Sequence, residues 1–207
     1  MNPIQPGVFR VFRPSVSSVF RLGLALGLAL MTAGTAAAEE RRISKEVTVP
    51  APVAEVWKAW TTSEGLVTFF APEAYVEPRP EGAFHIHFNP YAPPGSKGAD
   101  DMRVMAVQQE KLLSFTWNAP PHLPEARAQR TFVTVRFEPA GTGTLVRLHH
   151  SGWGDGGQWD QAHDYFDKAW GSVLESLRKR FAEGPRDWTE FRARMKAFQD
   201  QQNAAKP

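Results

Sequence analysis

The chain has 207 residues, of which 42% are hydrophobic, 12% aromatic and 22% charged. This balance is typical of a globular protein and excludes disordered, collagen-like and coiled-coil classes. The sequence contains no cysteine, which excludes disulfides, thiol catalysis and cysteine-ligated zinc.

Residues 1–38 have the organisation of a secretory signal peptide. Three arginines and no acid precede an apolar run at 22–31, and the segment ends in three alanines. We expect cleavage after Ala38 and a periplasmic or secreted mature protein, with an uncleaved anchor as the alternative. The mature chain would carry 21 basic and 22 acidic residues, a net charge of −1. A chain with that charge lacks the excess of positive residues that binding to nucleic acid or an anionic membrane requires. No transmembrane span is expected in the mature chain.

The first elements are a strand and two short helices. Residues 43–49 alternate in polarity, which predicts a half-buried strand. After a Pro-Ala-Pro break, residues 53–60 place their large apolar side chains on one helical face. Thr62 or Ser63 can cap a second short helix over 64–70.

Six short segments with the character of strands follow. Because consecutive strands are joined by short connections, they predict an antiparallel meander. The predicted strands cover 74–77, 83–88, 101–108, 112–117, 130–138 and 144–150.

Two amphipathic helices are predicted at the end of the chain. Residues 159–181 carry one wide apolar stripe, and Gly184-Pro185 ends that helix. A second helix over 187–199 is too short to be stable without a packing partner. It could cover its own domain, cap an opening or pair with a second copy, and packing on its own domain is the simplest expectation. Its apolar residues are Trp188, Phe191, Met195 and Phe198.

This order of elements resembles the SRPBCC superfamily, also called START-like or helix-grip. Within it, the chain is most similar to the branch named for activators of the heat-shock-protein-90 ATPase. Glu81 departs from that branch, which usually has the first glycine of a Gly-Gly pair there. The resembling segments are VTVPAPVAEVWKAWTTSEGLVTFF (47–70), RPEGAFHIHF (79–88), KLLSFTW (111–117), GTGTLVRLHHSGW (141–153) and AWGSVLESL (169–177).

The resemblance implies an α+β fold in which a curved seven-stranded antiparallel sheet wraps around the long C-terminal helix. Two short helices follow the first strand, and a cavity for an apolar or amphipathic ligand lies between sheet and helix. The predicted organisation is a signal peptide (1–38), the SRPBCC domain (39–184) and a C-terminal amphipathic helix with its tail (185–207). A co-chaperone-like role in protein interaction remains an alternative, although export would separate the protein from cytosolic chaperones.

Strand parity within that fold selects the strand side chains that would line the cavity, and Trp153 of the 151–158 loop and Tyr165 and Trp170 of the long helix complete the set. By the same parity, His85 and His87 should face solvent. The predicted ligand-binding residues are Phe84, Ile86, Phe88, Phe115, Trp117, His150, Trp153, Tyr165 and Trp170.

The meander also predicts where the cavity opens. The loops 89–100, 118–129 and 151–158 should share one end of the sheet, and two of them are long and rich in proline. The residues of this predicted mouth are Tyr91, Asn118, His122, Trp153 and Trp159, with Trp117 and His150 at the adjoining strand ends.

A catalytic alternative depends on His150. It could act as a general base, with Tyr165 or Asn118 polarising a carbonyl, in a cyclase, dehydratase or hydrolase. It could equally be a core histidine without a role. The sequence offers only Tyr165, and Asp160 or Asp164, as a second titratable group near His150, so we expect binding of a small hydrophobic molecule rather than catalysis.

We expect the protein to be a monomer or weak homodimer. We expect no cofactor and no metal, because His85 and His87 have no carboxylate at ligand spacing.

Overall fold

The computed structural model describes residues 41–205. The segment expected to be a signal peptide lies outside those residues. No helix in the described range is both long enough and apolar enough to cross a membrane. In chain order the elements are β1 (Ile43–Val49), α1 (Val53–Thr61), α2 (Ser63–Leu66), β2 (Glu73–Val76), β3 (Ala83–His87), β4 (Gly98–Gln108), β5 (Leu112–Trp117), α3 (Pro124–Arg127), β6 (Thr131–Ala140), β7 (Gly143–Ser151), α4 (Gly157–Glu183) and α5 (Thr189–Ala204).

The strands form one antiparallel sheet in the order β1-β7-β6-β5-β4-β3-β2. Strands β2 to β7 are a meander, as predicted, and β1 pairs with β7 over its whole length. Helices α1 and α2 therefore carry the chain from one edge of the sheet to the other. Helix α4 packs on the concave face, which confirms the helix-grip fold.

The helix α2 is shorter than its predicted range. Thr62 caps it as expected, because its hydroxyl accepts a hydrogen bond from Gly65 N–H at 3.0 Å. The helix ends at Leu66, and the chain turns so that Phe69 and Phe70 are buried in the core. These two rings pack on Trp60 with centroid separations of 5.2 and 5.6 Å.

Large aromatic side chains fill the middle of the interface between sheet and helix. Phe84 and Phe115 stack with centroids 3.9 Å apart, and Trp117 meets Trp170 of α4 at 5.2 Å. Each fully buried side chain of this size contributes roughly 1.5–3 kcal/mol to folding. The space that the resemblance implied between sheet and helix is therefore packed along most of its length, and open volume is found at one end.

A bulge bends the sheet near that end. Between Phe84 and Ile86, β3 contributes one residue where β4 contributes two, and the second of these, Asp101, has a φ of +56°. Gly98 begins β4 with a φ of +153°, and a Cβ there would lie 2.4 Å from Ile86 O. The glycine thus permits the close approach of the two strands.

The same region corrects the prediction that His85 and His87 face solvent, since both are half-buried. Nε2 of His85 is buried and has no hydrogen-bond partner among the described residues. The His87 ring lies between two carboxylates, with Glu73 at 3.6 Å and Asp100 at 3.8 Å. Parity correctly placed both histidines on the face of β3 opposite Phe84 and Ile86, but neighbouring side chains cover that face and shield the rings from solvent.

Candidate functional site

A cavity of about 620 Å³ lies at the end of the sheet where two of the predicted mouth loops meet α4 and α5. Its floor is aromatic and consists of Phe88, Trp117 and Phe166. The β3–β4 and β5–α3 loops form two walls, and Tyr165 of α4 forms a third. Two of the three predicted loops therefore enclose one space.

A smaller cavity of about 200 Å³ adjoins the first between α4 and α5. The two share Phe88, Trp117, Tyr165 and Phe166, so an aromatic surface continues beneath α5. The indole N–H of Trp117 is buried and has no acceptor within 41–205. A buried donor left without a partner costs roughly 1–3 kcal/mol.

The predicted ligand-binding residues separate into two groups in the structure. Phe88, Trp117, Tyr165 and Trp170 line one or both of these cavities. The others lie in or against the packed core and line neither cavity; they are Phe84, Ile86, Phe115, His150 and Trp153. Parity identifies inward-facing positions, and the packing around each position decides whether it borders open space.

His150 is fully buried and both of its ring nitrogens are bonded. Nδ1 accepts a hydrogen bond from Trp170 Nε1 at 2.9 Å, which places the ring proton on Nε2. That nitrogen then donates to Thr131 Oγ1 at 2.7 Å, and Thr131 donates to Trp117 O at 3.3 Å. The chain of bonds satisfies each group with a neutral histidine.

Burial in this setting lowers the pKa of His150 to about 3, with a smaller contribution from His163. Its ring packs on Trp153 with centroids 4.2 Å apart and borders neither cavity. No hydrogen bond joins it to Tyr165 in the described region. This arrangement fixes the sheet to α4 and offers no accessible base for a substrate.

The third predicted loop, 151–158, does not reach the larger cavity. Trp153 donates from Nε1 to the His150 carbonyl at 3.0 Å and covers that ring. Trp153 and Trp159 pack instead on a small cluster with α3, whose buried members are Ala119, Leu123, Ala126 and Ala162. Helix α3, which the sequence pattern did not predict, supplies this alternative partner. Tyr91, also expected at the mouth, does not line this cavity and is exposed, whereas Asn118 and His122 do line it.

Arg127 of α3 holds the two cavity loops together. It donates to the carbonyl of Ala119 on its own loop and to those of Gly95 and Gly98 across the cavity wall, the latter two at 2.7 and 2.8 Å. It also pairs with the buried carboxylate of Asp100 at 3.3 Å. Burial lowers the pKa of Arg127, and Asp100 opposes that effect.

No group of three or more metal-ligating side chains is placed to hold a metal ion within residues 41–205. An apolar cavity with a few polar groups at its rim is the kind of feature that small-molecule sites have in common.

Comparison with known proteins supports the fold described above. A family model described as "Activator of Hsp90 ATPase homolog 1-like protein" matches residues 50–182. The chain belongs to this family. Through it, the chain is a member of the SRPBCC superfamily, as the sequence segments indicated.

Solved structures of related proteins share the fold. A protein from Mesorhizobium loti is 25% identical, with a TM-score of 0.56 over 67% of this chain and 95% of its own. A Bacillus halodurans protein is 28% identical, with a TM-score of 0.52 over 68% and 96%. The Aha1 dimer from Colwellia psychrerythraea is 19% identical, with a TM-score of 0.55 over 70% and 98%. No curated protein matches the chain.

Helix α5 lies outside the residues that the family model matches and yet forms a wall of both cavities. Trp188 and Phe191 border the smaller cavity, and Met195, Phe198 and Gln199 border the larger one. The apolar stripe of this helix was visible in the sequence, but its place at the cavity was only one of three options. Phe166 and Arg127 were also missed, because an apolar helix position and a loop arginine carry no local signal of a cavity.

Proposed function

We propose that this protein binds a small amphipathic molecule in the cavity at the end of the sheet. The observation that carries the proposal is the cavity itself, whose volume of about 620 Å³ lies within the roughly 300–1,000 Å³ of small-molecule sites. Its aromatic floor suits an apolar body. Polar side chains at the rim, including Asn118 and Gln199, suit a polar end group.

Binding is favoured over catalysis by the state of His150. A general base must reach the proton that it removes, and it works best with a pKa near the working pH. His150 has neither property, because both nitrogens are bonded and its pKa is about 3. The partly exposed Tyr165 lines both cavities without a basic partner among the described residues.

We further propose that the protein acts outside the cytoplasm, with a mature chain that begins at Glu39. The support is the pattern of residues 1–38, with a basic segment, an apolar run and small residues before the cleavage point. An intact mass corresponding to 39–207 for protein from the host periplasm is the expected result. A full-length chain retained in the cytoplasm would contradict it.

A matched pair of tryptophan substitutions tests binding. Met195→Trp on α5 would fill the larger cavity, whereas Met105→Trp would add the same side chain at an exposed position of β4. We expect the first substitution to weaken binding of the neutral probe N-phenylnaphthylamine by at least about tenfold, and the second to leave it unchanged. The measurement is a fluorescence titration of each purified variant. A wild-type protein that does not bind the probe, or equal affinities for both variants, would refute the proposal.

A further inference from the structure

The charged residues around the larger cavity are all of one sign. Its lining includes two permanent cations, Lys97 and Arg127, and no aspartate or glutamate. A concave site with one sign of charge and apolar walls concentrates its electrostatic field on a bound ligand. The lining therefore favours a ligand that carries negative charge.

The two cations are not equivalent. Arg127 is committed to three carbonyl groups and to Asp100, so its charge is compensated within the protein. Lys97 is half-buried and forms no ion pair with any carboxylate in the part of the chain that the structure describes. The uncompensated positive charge of the cavity thus belongs to Lys97.

Lys97 is held beside the aromatic floor by the backbone. Asn89 N–H donates to the Lys97 carbonyl at 2.9 Å, which closes the β3–β4 loop at its base. Because Phe88 immediately precedes Asn89, this bond places Lys97 close to the Phe88 end of the aromatic floor. A ligand with an apolar body on Phe88 would have its end group within reach of the loop lysine.

Two further hydrogen-bond donors lie at the same cavity. The indole N–H of Trp117 is buried and has no acceptor within 41–205, and the side-chain amide of Asn118, a residue only 6% exposed, lines the same cavity. Its NH2 group can donate to an anionic oxygen. A buried donor without an acceptor beside a cavity, as at Trp117, indicates that a ligand supplies its partner.

We propose that the ligand is an anionic amphiphile, with a carboxylate, phosphate or sulfate group bound by Lys97 and Asn118. Its apolar body lies on the floor formed by Phe88, Trp117 and Phe166. This inference rests on the proposed function and specifies the chemical class of the ligand. Charge selectivity comes from Lys97, and most of the affinity comes from the aromatic floor.

Two ligands of equal chain length separate these contributions. Calorimetric titration with dodecanoate and with dodecanol would be performed on the wild type, on Lys97→Met and on Lys111→Met. Lys111 lies in the exposed turn between β4 and β5, outside the larger cavity, and serves as the matched control. Methionine keeps most of the length of the lysine side chain and removes its charge.

We expect the wild type and Lys111→Met to bind dodecanoate more tightly than dodecanol. In Lys97→Met, the affinity for dodecanoate should fall by about five- to tenfold while that for dodecanol is unchanged. Equal binding of the two ligands by the wild type, or an equal loss of both in Lys97→Met, would overturn the inference and leave the proposed function standing. A wild type that binds neither ligand would overturn the proposed function and this inference with it.

Discussion

The side chains of Trp170, His150 and Thr131 form a directional chain of hydrogen bonds from α4 to the main chain of β5. Each donor in the chain meets one acceptor, and only the neutral histidine with its proton on Nε2 fits. Protonation of Nδ1 would leave the Trp170 N–H facing a second donor in a region without water access. Since buried polar groups are expensive when unsatisfied, this chain fixes the register of α4 on the sheet.

The protonation state of His150 leads to a prediction about stability. An unfolded histidine has a pKa near 6.5, whereas burial lowers the folded value to about 3, so the unfolded chain takes up the proton first as pH falls. The contribution of His150 is therefore complete above about pH 6.5 and is lost by about 1.4 kcal/mol per pH unit between 6.5 and 3. The free energy of unfolding, measured with urea, should therefore be lower at pH 5 than at pH 7 by about 2 kcal/mol because of His150.

The variant His150→Phe isolates that effect. It removes the titrating ring, and it costs roughly 1–3 kcal/mol at pH 7 because the Trp170 N–H loses its acceptor. Burial also lowers the pKa of His85 and His149. These two histidines contribute equally to the pH dependence of stability in the wild type and in His150→Phe, so they do not affect the comparison. A wild-type protein with the same pH dependence as His150→Phe would show that His150 is not held neutral.

At the scale of elements, α5 depends on bonds to distant parts of the chain. Trp188 donates from Nε1 to the Val67 carbonyl at 2.6 Å, and Arg186 N–H donates to Thr68 O at 2.9 Å. At the other end, Asn89 Nδ2 donates to Gln199 at 3.4 Å, which is a much weaker contact. The helix is therefore anchored firmly at its start and loosely where it borders the larger cavity.

The substitution Trp188→Phe tests this anchor. It keeps an aromatic ring at the smaller cavity and removes the hydrogen bond to Val67, at a cost of about 1 kcal/mol, together with part of the buried indole. We expect faster amide hydrogen exchange across α5 and unchanged exchange in α4. Trp159→Phe is the control, because the structure assigns no hydrogen bond to the Trp159 indole within the described residues. Unchanged exchange in α5 of Trp188→Phe would mean that other contacts hold the helix.

At the scale of the molecule, periodicity in the sequence predicted most of the helices and strands, and the resemblance to the SRPBCC superfamily implied how they assemble. The predicted bounds of β1 and β5 are the observed ones, and the apolar stripe predicted the helix α4, whose packing on the sheet was implied by the resemblance. The cavity depends on tertiary packing that periodicity does not encode. His150 and Phe115 point inward as parity requires, but neighbouring rings fill the space around them.

The position of the cavity depends on contacts between distant segments. Arg127 joins two loops that are far apart in the sequence, and α5 returns to the turn after α2. Neither contact has a local sequence signature. Sequence reasoning could therefore predict which end of the sheet is open and some of the side chains that border the opening, but not the contributions of Arg127 and α5.

The central claim is that the cavity at the end of the sheet holds an amphipathic molecule. Native mass spectrometry of the mature protein, purified from the periplasm of its own host without detergent, tests this most directly. We predict a complex with one small molecule per chain, and solvent extraction should yield an amphiphile with an anionic group. A protein that is recovered empty, and stays empty when mixed with a total lipid extract of the host, would contradict the account.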